Sequence, residues 1–532
     1  MAGEDPYDPD RAFDAMSQAL ASGDPARIAQ VVDDYAWTLA AHHHGLLEEA
    51  LRVIPSELFE RFERLKLVHP VASVLARMYP KPPAARDKVD VLALSDDELN
   101  EHLLKQVIAR RLSGDVKSAV DVAERLEERL ERGGGTGRLV ERCPVGQVSF
   151  QLGVTYLLDG QTQRALSSFS LAGQLSALAP GYPLQRDCVV RSAVTHALRG
   201  AVRHAERALT AARQLPSPPP FFASYTQTAE NIAAAFIEVE RLGPDAESRV
   251  AALESYDAID ELWPLIALVR ARFELARAHP MAALEEISMA FATHTWSKDT
   301  LADDVRVSCT AESFLSLGEV ASARSVCEEA SGRLPLSQIA MIRVLIHEGR
   351  FAEAARACRR LRGAREVSPA TRAHAILLRA WVAFEADGAI DPSEALAIAR
   401  IAWTGDFRRM FTTVPQALIE AIHERIPEQE SARLANVLEG LEFAAPLPER
   451  PRLSPSEMNV LNELARSTKT AEIAERLHVT PNTVKTQLAS IYRKLGVRSR
   501  ADAITAATRM NLIRGEADEG HRSLDAAGVN RG

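Results

Sequence analysis

The chain has 532 residues, 46% apolar and 25% charged, with a formal net charge of −9. That length exceeds what one hydrophobic core can organise and predicts roughly three or four domain-sized units of ordinary globular composition. Five scattered cysteines (Cys143, Cys188, Cys309, Cys327, Cys358) with no Cys-x-x-Cys pair argue against a disulfide framework or a zinc site, and for a reduced, cytoplasmic chain. No run approaches the ~18 apolar residues of a membrane span.

Residues 1–10 are acidic and broken by proline, the opposite of a signal peptide, and are expected to be disordered. Over residues 11–443 apolar positions recur at helical spacing, with almost no period-2 strand pattern. The abundance of Ala, Leu, Glu and Arg favours helix because those side chains lose little rotamer freedom there. Breaks fall at Tyr79–Pro83, at Arg132–Arg138 with its glycines, and at Pro216–Pro220, which marks 80–95 and 216–220 as candidate subdivisions of this body.

Inside the body one spacing repeats: Leu152, Gly153, Tyr156, Gly160, Ala165, Phe169, Ala172, then Ala193, His196, Gly200, Ala205, Leu209, Ala212. Further copies read Ala311, Phe314, Gly318, Ala323, Cys327, Ala330 and, more loosely, Leu345, Gly349, Ala354, Cys358. The pattern resembles the tetratricopeptide repeat. The glycine turns the chain between paired helices, and small residues let the pair approach to about 8–10 Å. The expected fold class is therefore all-α: a tetratricopeptide-like helical-repeat solenoid over 11–443, followed by a small four-helix domain.

Other constellations carry no chemistry. Arg132-Gly-Gly-Gly-Thr-Gly-Arg138 lacks the Lys-Ser/Thr pair and the preceding strand of a phosphate-binding loop and reads as a flexible linker. Consecutive His42-His43-His44 point in different directions on a helix and cannot share one metal ion well. No nucleophile, base and acid cluster credibly, so neither an enzyme nor a cofactor is expected.

Residues 444–452 carry Pro446, Pro448 and Pro451, which favour an extended linker. The next domain, 453–514, has explicit helix punctuation. Ser454-Pro455-Ser456-Glu457 is a capping box, Thr480-Pro481 opens a later helix, Gly496 closes it, and Ser499-Arg-Ala-Asp502 opens a last one. Residues 515–532, rich in Gly, Asp and Glu, are expected to form a disordered tail.

The segment LSPSEMNVLNELARSTKTAEIAERLHVTPNTVKTQLASIYRKLGVRSRADAI resembles the LuxR-type (FixJ/NarL-like) helix-turn-helix along its full length. Residues 21–65, with Ile54-Pro-Ser-Glu-Leu58, resemble the start of the helical-repeat region in large MalT-like regulators, here without their ATPase module. The resemblance implies a third helix in the major groove of double-stranded DNA and a fourth at a dimer contact. By matching position it assigns DNA contact to Thr470, Thr480, Asn482, Thr483, Val484, Lys485, Gln487, Ala489, Arg493 and Lys494, with Val484 touching bases. It assigns dimerisation to Val497, Arg500, Ala503, Ile504 and Ala507. The usual glycines before the second helix and before Val479 are Ser467 and His478 here, and the histidine usual two residues after the Thr-Val-Lys lysine is Gln487.

Charge distribution agrees with that reading. Residues 451–514 carry +6 and the tail −2, which leaves −13 on the rest, as expected if only one end meets DNA. The function implied is a sequence-specific transcriptional regulator, an activator by family leaning, cytoplasmic and nucleoid-associated when bound. It would act as a homodimer on DNA, contact RNA polymerase, and take a ligand or protein in the repeat groove. The alternative is an interaction scaffold built on the repeats, with vestigial DNA binding.

Overall fold

The computed structural model describes residues 8–55, 57–58, 62, 96–132, 145–178, 184–217, 220–253, 261–362, 367–404, 406–447, 453–466 and 469–509. Among these residues the chain is helical and has no strand; one isolated bridge joins Pro415 and Ala444. No described helix is long and apolar enough to cross a membrane. The predicted tail, most of the glycine-rich break, the break at 79–83 and Ser467 lie outside the described residues. The chain divides into two compact units: Met1–Arg343 with Ala355–Ala444, and Val344–Ala354 with Ala445–Gly532.

Order begins earlier than residue 11. Asp8 caps the helix Pro9–Ser22, its carboxylate accepting from the N–H groups of Asp10 and Arg11 at 3.0 and 3.2 Å, with proline in the first turn as helix starts favour. The predicted linker is likewise held at its start, where the Ala444 N–H donates to the Val414 carbonyl at 3.1 Å.

The repeats fold as helical hairpins. Helices Val145–Leu158 and Thr162–Leu178 turn at Gly160, φ +87°, and bury Tyr156, Ala165, Phe169 and Ala172. The next pair, Gln185–Leu198 and Val202–Gln214, turns at Gly200 with φ +72°, and Leu301–Ser316 with Val320–Glu328 turns at Gly318 with φ +77°. All three turns lie in the left-handed region that glycine enters without a Cβ penalty. The buried Tyr156 phenol is satisfied by donating to Glu127 Oε2 at 2.9 Å, while Arg164 sits 3.9 Å over its ring.

Residues far apart in sequence also meet inside the first unit. The Ala370 N–H donates to the Arg199 carbonyl at 3.0 Å, and a Cβ on Gly200 would lie 2.7 Å from both Ala370 Cβ and Phe407 Cε1. These contacts leave a cavity of ≈ 420 Å³ among the hairpins, walled by residues from Gly160 to Arg409.

Close approach also marks Gly153, where an added Cβ would stand 2.6 Å from the Phe169 ring. Gly153→Ala is expected to destabilise the body by about 1–3 kcal/mol through overpacking, despite alanine's better helix propensity. Urea unfolding of the full chain against wild type measures it.

Candidate nucleic-acid interface

Within residues 453–509 the chain forms four helices: Pro455–Arg466, Thr470–Arg476, Pro481–Leu495 and Arg500–Arg509. Three of the four have side-chain caps at their starts. The Ser454 hydroxyl accepts from the Glu457 N–H at 3.2 Å, and Glu457 Oε2 accepts from the Ser454 N–H at 2.6 Å, which completes the capping box. Thr480 caps the third helix by accepting from the Thr483 N–H at 3.2 Å, and Gly496, φ +68°, closes it. The Ser499 hydroxyl accepts from the Asp502 N–H at 3.1 Å and donates to the Asp502 carboxylate at 2.6 Å. The core joins Val460, Leu461, Leu464, Ile473, Ala474, Val484, Ile491 and Leu495 to Ala503 and Ala507.

Glu457 does more than cap. Its buried carboxylate also accepts from the Ser490 hydroxyl at 2.7 Å and from Lys494 Nζ at 2.6 Å. One carboxylate thus fastens the first helix to the C-terminal half of the third. The Lys494 ammonium, the Ser454 N–H and the Ser490 hydroxyl hold its pKa well below the ordinary 4.5, at about 2.

The third helix has two opposite stripes. Val484, Leu488, Ile491 and Leu495 face the core, while Asn482, Lys485, Thr486, Ala489 and Arg493 are exposed. Thr480 beside its start is exposed too, and Thr470, Thr483 and Gln487 are half-buried. Among the described residues Lys485 and Arg493 make no ion pair, whereas Arg476 and Lys494 are paired within the domain to Glu463 at 3.0 Å and Glu457 at 2.6 Å.

The residues assigned from sequence differ in how far they reach the surface. Val484, expected to touch bases, has no exposed surface; it lies on the 3.6-residue stripe of Leu488 and Ile491 and so faces inward. Thr486 stands on the outer face instead, and sequence reasoning missed it although it follows Lys485 directly. Lys494, assigned to the DNA backbone, is held by Glu457. Ala503 and Ala507, assigned to dimerisation, are fully buried in the domain's own core. Val497 and Ile504 are half-buried against that core, and Arg500 donates to the Leu464 carbonyl.

The descriptions of known families agree. Residues 451–507 match the GerE family, bacterial regulatory proteins of the luxR family. The chain carries a LuxR-family helix-turn-helix domain at its C-terminus. Over 66 residues it is 44% identical to the probable transcriptional regulatory protein NarL of Mycobacterium tuberculosis, covering 12% of this chain and 31% of that protein. Over 62 residues it is 40% identical to the transcriptional regulatory protein YdfI of Bacillus subtilis, covering 12% of this chain and 29% of that protein. The chain thus spans less than a third of the length of either relative.

His478, in the turn before the LuxR-type third helix, adopts φ +53° without being glycine. A left-handed L-residue costs about 1–2 kcal/mol and glycine's extra chain entropy about 0.5–1, so His478→Gly is expected to stabilise the domain by up to about 1 kcal/mol in urea unfolding. Glu457→Gln is expected to destabilise it by about 2 kcal/mol at pH 7. Because the folded-state pKa of Glu457 lies below its unfolded value, its contribution is present above pH 4.5 and is lost as pH falls toward about 2. Urea unfolding of a fragment spanning residues 445–514 at pH 7, 5 and 3 should show the gap between wild type and variant narrowing at the lowest pH.

Proposed function

We propose that the protein is a sequence-specific DNA-binding transcriptional regulator, acting as an activator, whose helical body receives a ligand or protein partner. The observation that carries this reading is the exposed stripe Asn482, Lys485, Thr486, Ala489 and Arg493, set opposite a buried stripe on one LuxR-family helix. An α-helix fits the major groove of B-DNA, where donor, acceptor and methyl groups distinguish every base pair.

In that pose Lys485 reaches a guanine edge or a phosphate. The methyl of Thr486, whose hydroxyl donates back to the Asn482 carbonyl at 3.0 Å, meets thymine methyls beside Ala489. Thr470, Thr480, Asn482 and Thr483 lie at helix starts, where unpaired N–H groups already attract phosphate, and Gln487 and Arg493 follow the backbone.

One small domain buries little surface, so useful affinity calls for a homodimer on two half-sites about one DNA turn apart. Its contact would use the half-buried Val497 and Ile504 and the exposed Ala501 and Thr505 around the last helix. RNA polymerase is the partner an activator needs, and the cavity of the body is where a ligand is received. The regulator names of the relatives support the same reading.

The test is selection of binding sites with the full chain, followed by affinity measurement at fixed salt. Lys485→Ala is expected to weaken specific binding by about 1–3 kcal/mol. Arg493→Ala is expected to weaken all sequences alike and to lower the salt-dependence slope by about 1. Unchanged specific affinity in Lys485→Ala would refute the helix assignment, and binding without sequence preference would favour the scaffold alternative.

A further inference from the structure

The cavity in the body contains a row of buried charges that does not balance. Arg272 Nη1 lies 2.8 Å from Glu240 Oε1, and Arg409 Nε lies 3.0 Å from the same oxygen. Arg409 Nη1 and Arg343 Nη1 each lie 3.3 Å from Glu312 Oε1. The row alternates Arg272, Glu240, Arg409, Glu312, Arg343, so it begins and ends on a cation and carries one positive charge too many. Arg343 is the unsatisfied end: it is buried, yet among the described residues its Nε has no hydrogen-bond partner.

Among the described residues, the other acids of the wall have partners of their own. Asp304 accepts from the Leu336 and Ser337 N–H groups at 3.0 and 2.7 Å and caps the helix Pro335–His347. Asp406 pairs with Arg241 at 2.7 Å. His374 donates from Nδ1 to the Ala370 carbonyl at 2.9 Å, and burial with the nearby Arg343 lowers its pKa to about 4, so it is neutral near pH 7. Arg199 and Arg333 also line the cavity and add positive charge.

A buried charge without a counter-charge is costly, and a bound anion offsets that cost. The remaining wall includes Phe236, Leu301, Leu334, Ile339 and Phe407, and ≈ 420 Å³ falls within the range of small-molecule sites. We propose that this cavity binds a small organic oxyanion, a carboxylate or phosphate head on an apolar body, with Arg343 as the anchor for the head. The inference rests on the reading of the body as a ligand receiver and deepens it by naming the ligand class.

The experiment is thermal unfolding and calorimetric titration of the full chain with 3-phenylpropanoate, phenyl phosphate and the neutral 3-phenylpropanamide. At least one anion should raise the Tm with the logarithm of its concentration, and the amide should not; which anion does so separates carboxylate from phosphate. Arg343→Met should bind that anion at least about tenfold more weakly, while its ligand-free Tm is maintained or raised, since the excess charge is gone. A purely structural Arg343 would instead lower that Tm. Glu312→Gln, which adds to the excess, should bind the anion more tightly.

Anion binding that survives Arg343→Met unchanged overturns the proposal. An amide that binds as tightly as the carboxylate also overturns it, but leaves the body a ligand receiver. Absence of binding by all three probes overturns the proposal and removes the cavity as the receiving site.

Discussion

The Glu457 carboxylate sets what the C-terminal domain can present. The domain is small, and its core of Leu, Ile, Val and Ala side chains makes contacts without direction. A buried carboxylate with three donors around it adds direction, because each hydrogen bond is charge-assisted. Two of those donors, Ser490 and Lys494, belong to the third helix. Its rotation about its own axis is therefore fixed by polar contacts as well as by packing. With Val484 and Ile491 turned inward, Lys485, Thr486 and Ala489 can only turn outward.

The two units handle arginine and lysine in opposite ways. In the helix-turn-helix Lys485 and Arg493 are exposed on one stripe and, among the described residues, make no ion pair. In the body they are drawn inside, and Arg272, Arg343 and Arg409 share two glutamates in a region that solenoid packing would otherwise fill with apolar side chains. Burying three guanidiniums is a poor way to stabilise a solenoid, since apolar residues of similar volume commonly do as well or better.

The local features were legible in the sequence because they are encoded within four residues of each other. The capping box at Ser454–Glu457, the Thr480-Pro481 start and the glycine turns at Gly160, Gly200 and Gly318 each have a short-range cause. Burial is less directly legible. Motif position alone assigns contacts to Val484, Ala503 and Ala507, whereas counting the helical stripe from Leu488 and Ile491 puts Val484 inside. The charge row was invisible for a different reason: Glu240 and Arg409 are 169 residues apart, and each alone resembles a charge on the wet face of a helix. One clue existed, in that Arg272 sits in the helix Trp263–Ala276, where Trp263 through Val269 are all buried; a charge in a helix that is apolar on every side has to find a partner in the interior.

A repeat solenoid is quasi-one-dimensional, each hairpin supported mainly by its neighbours, so a change at one end has little intrinsic means of reaching the other. The body departs from that rule at two kinds of place. At Gly200, backbone from residues 199–200 and 370 comes into hydrogen-bonding distance. Around the cavity, helices Pro220–Arg241, Trp263–Ala276, Leu301–Ser316 and Pro335–His347 all contribute to one charge row. Rotating any one hairpin would pull a guanidinium or a carboxylate away from its partner in a medium where unpaired charge is expensive. The row therefore makes the positions of these hairpins interdependent, which nearest-neighbour packing does not. That interdependence is what a receiving domain requires, because an occupant can bias a conformational equilibrium only by the difference in its affinity for the two states.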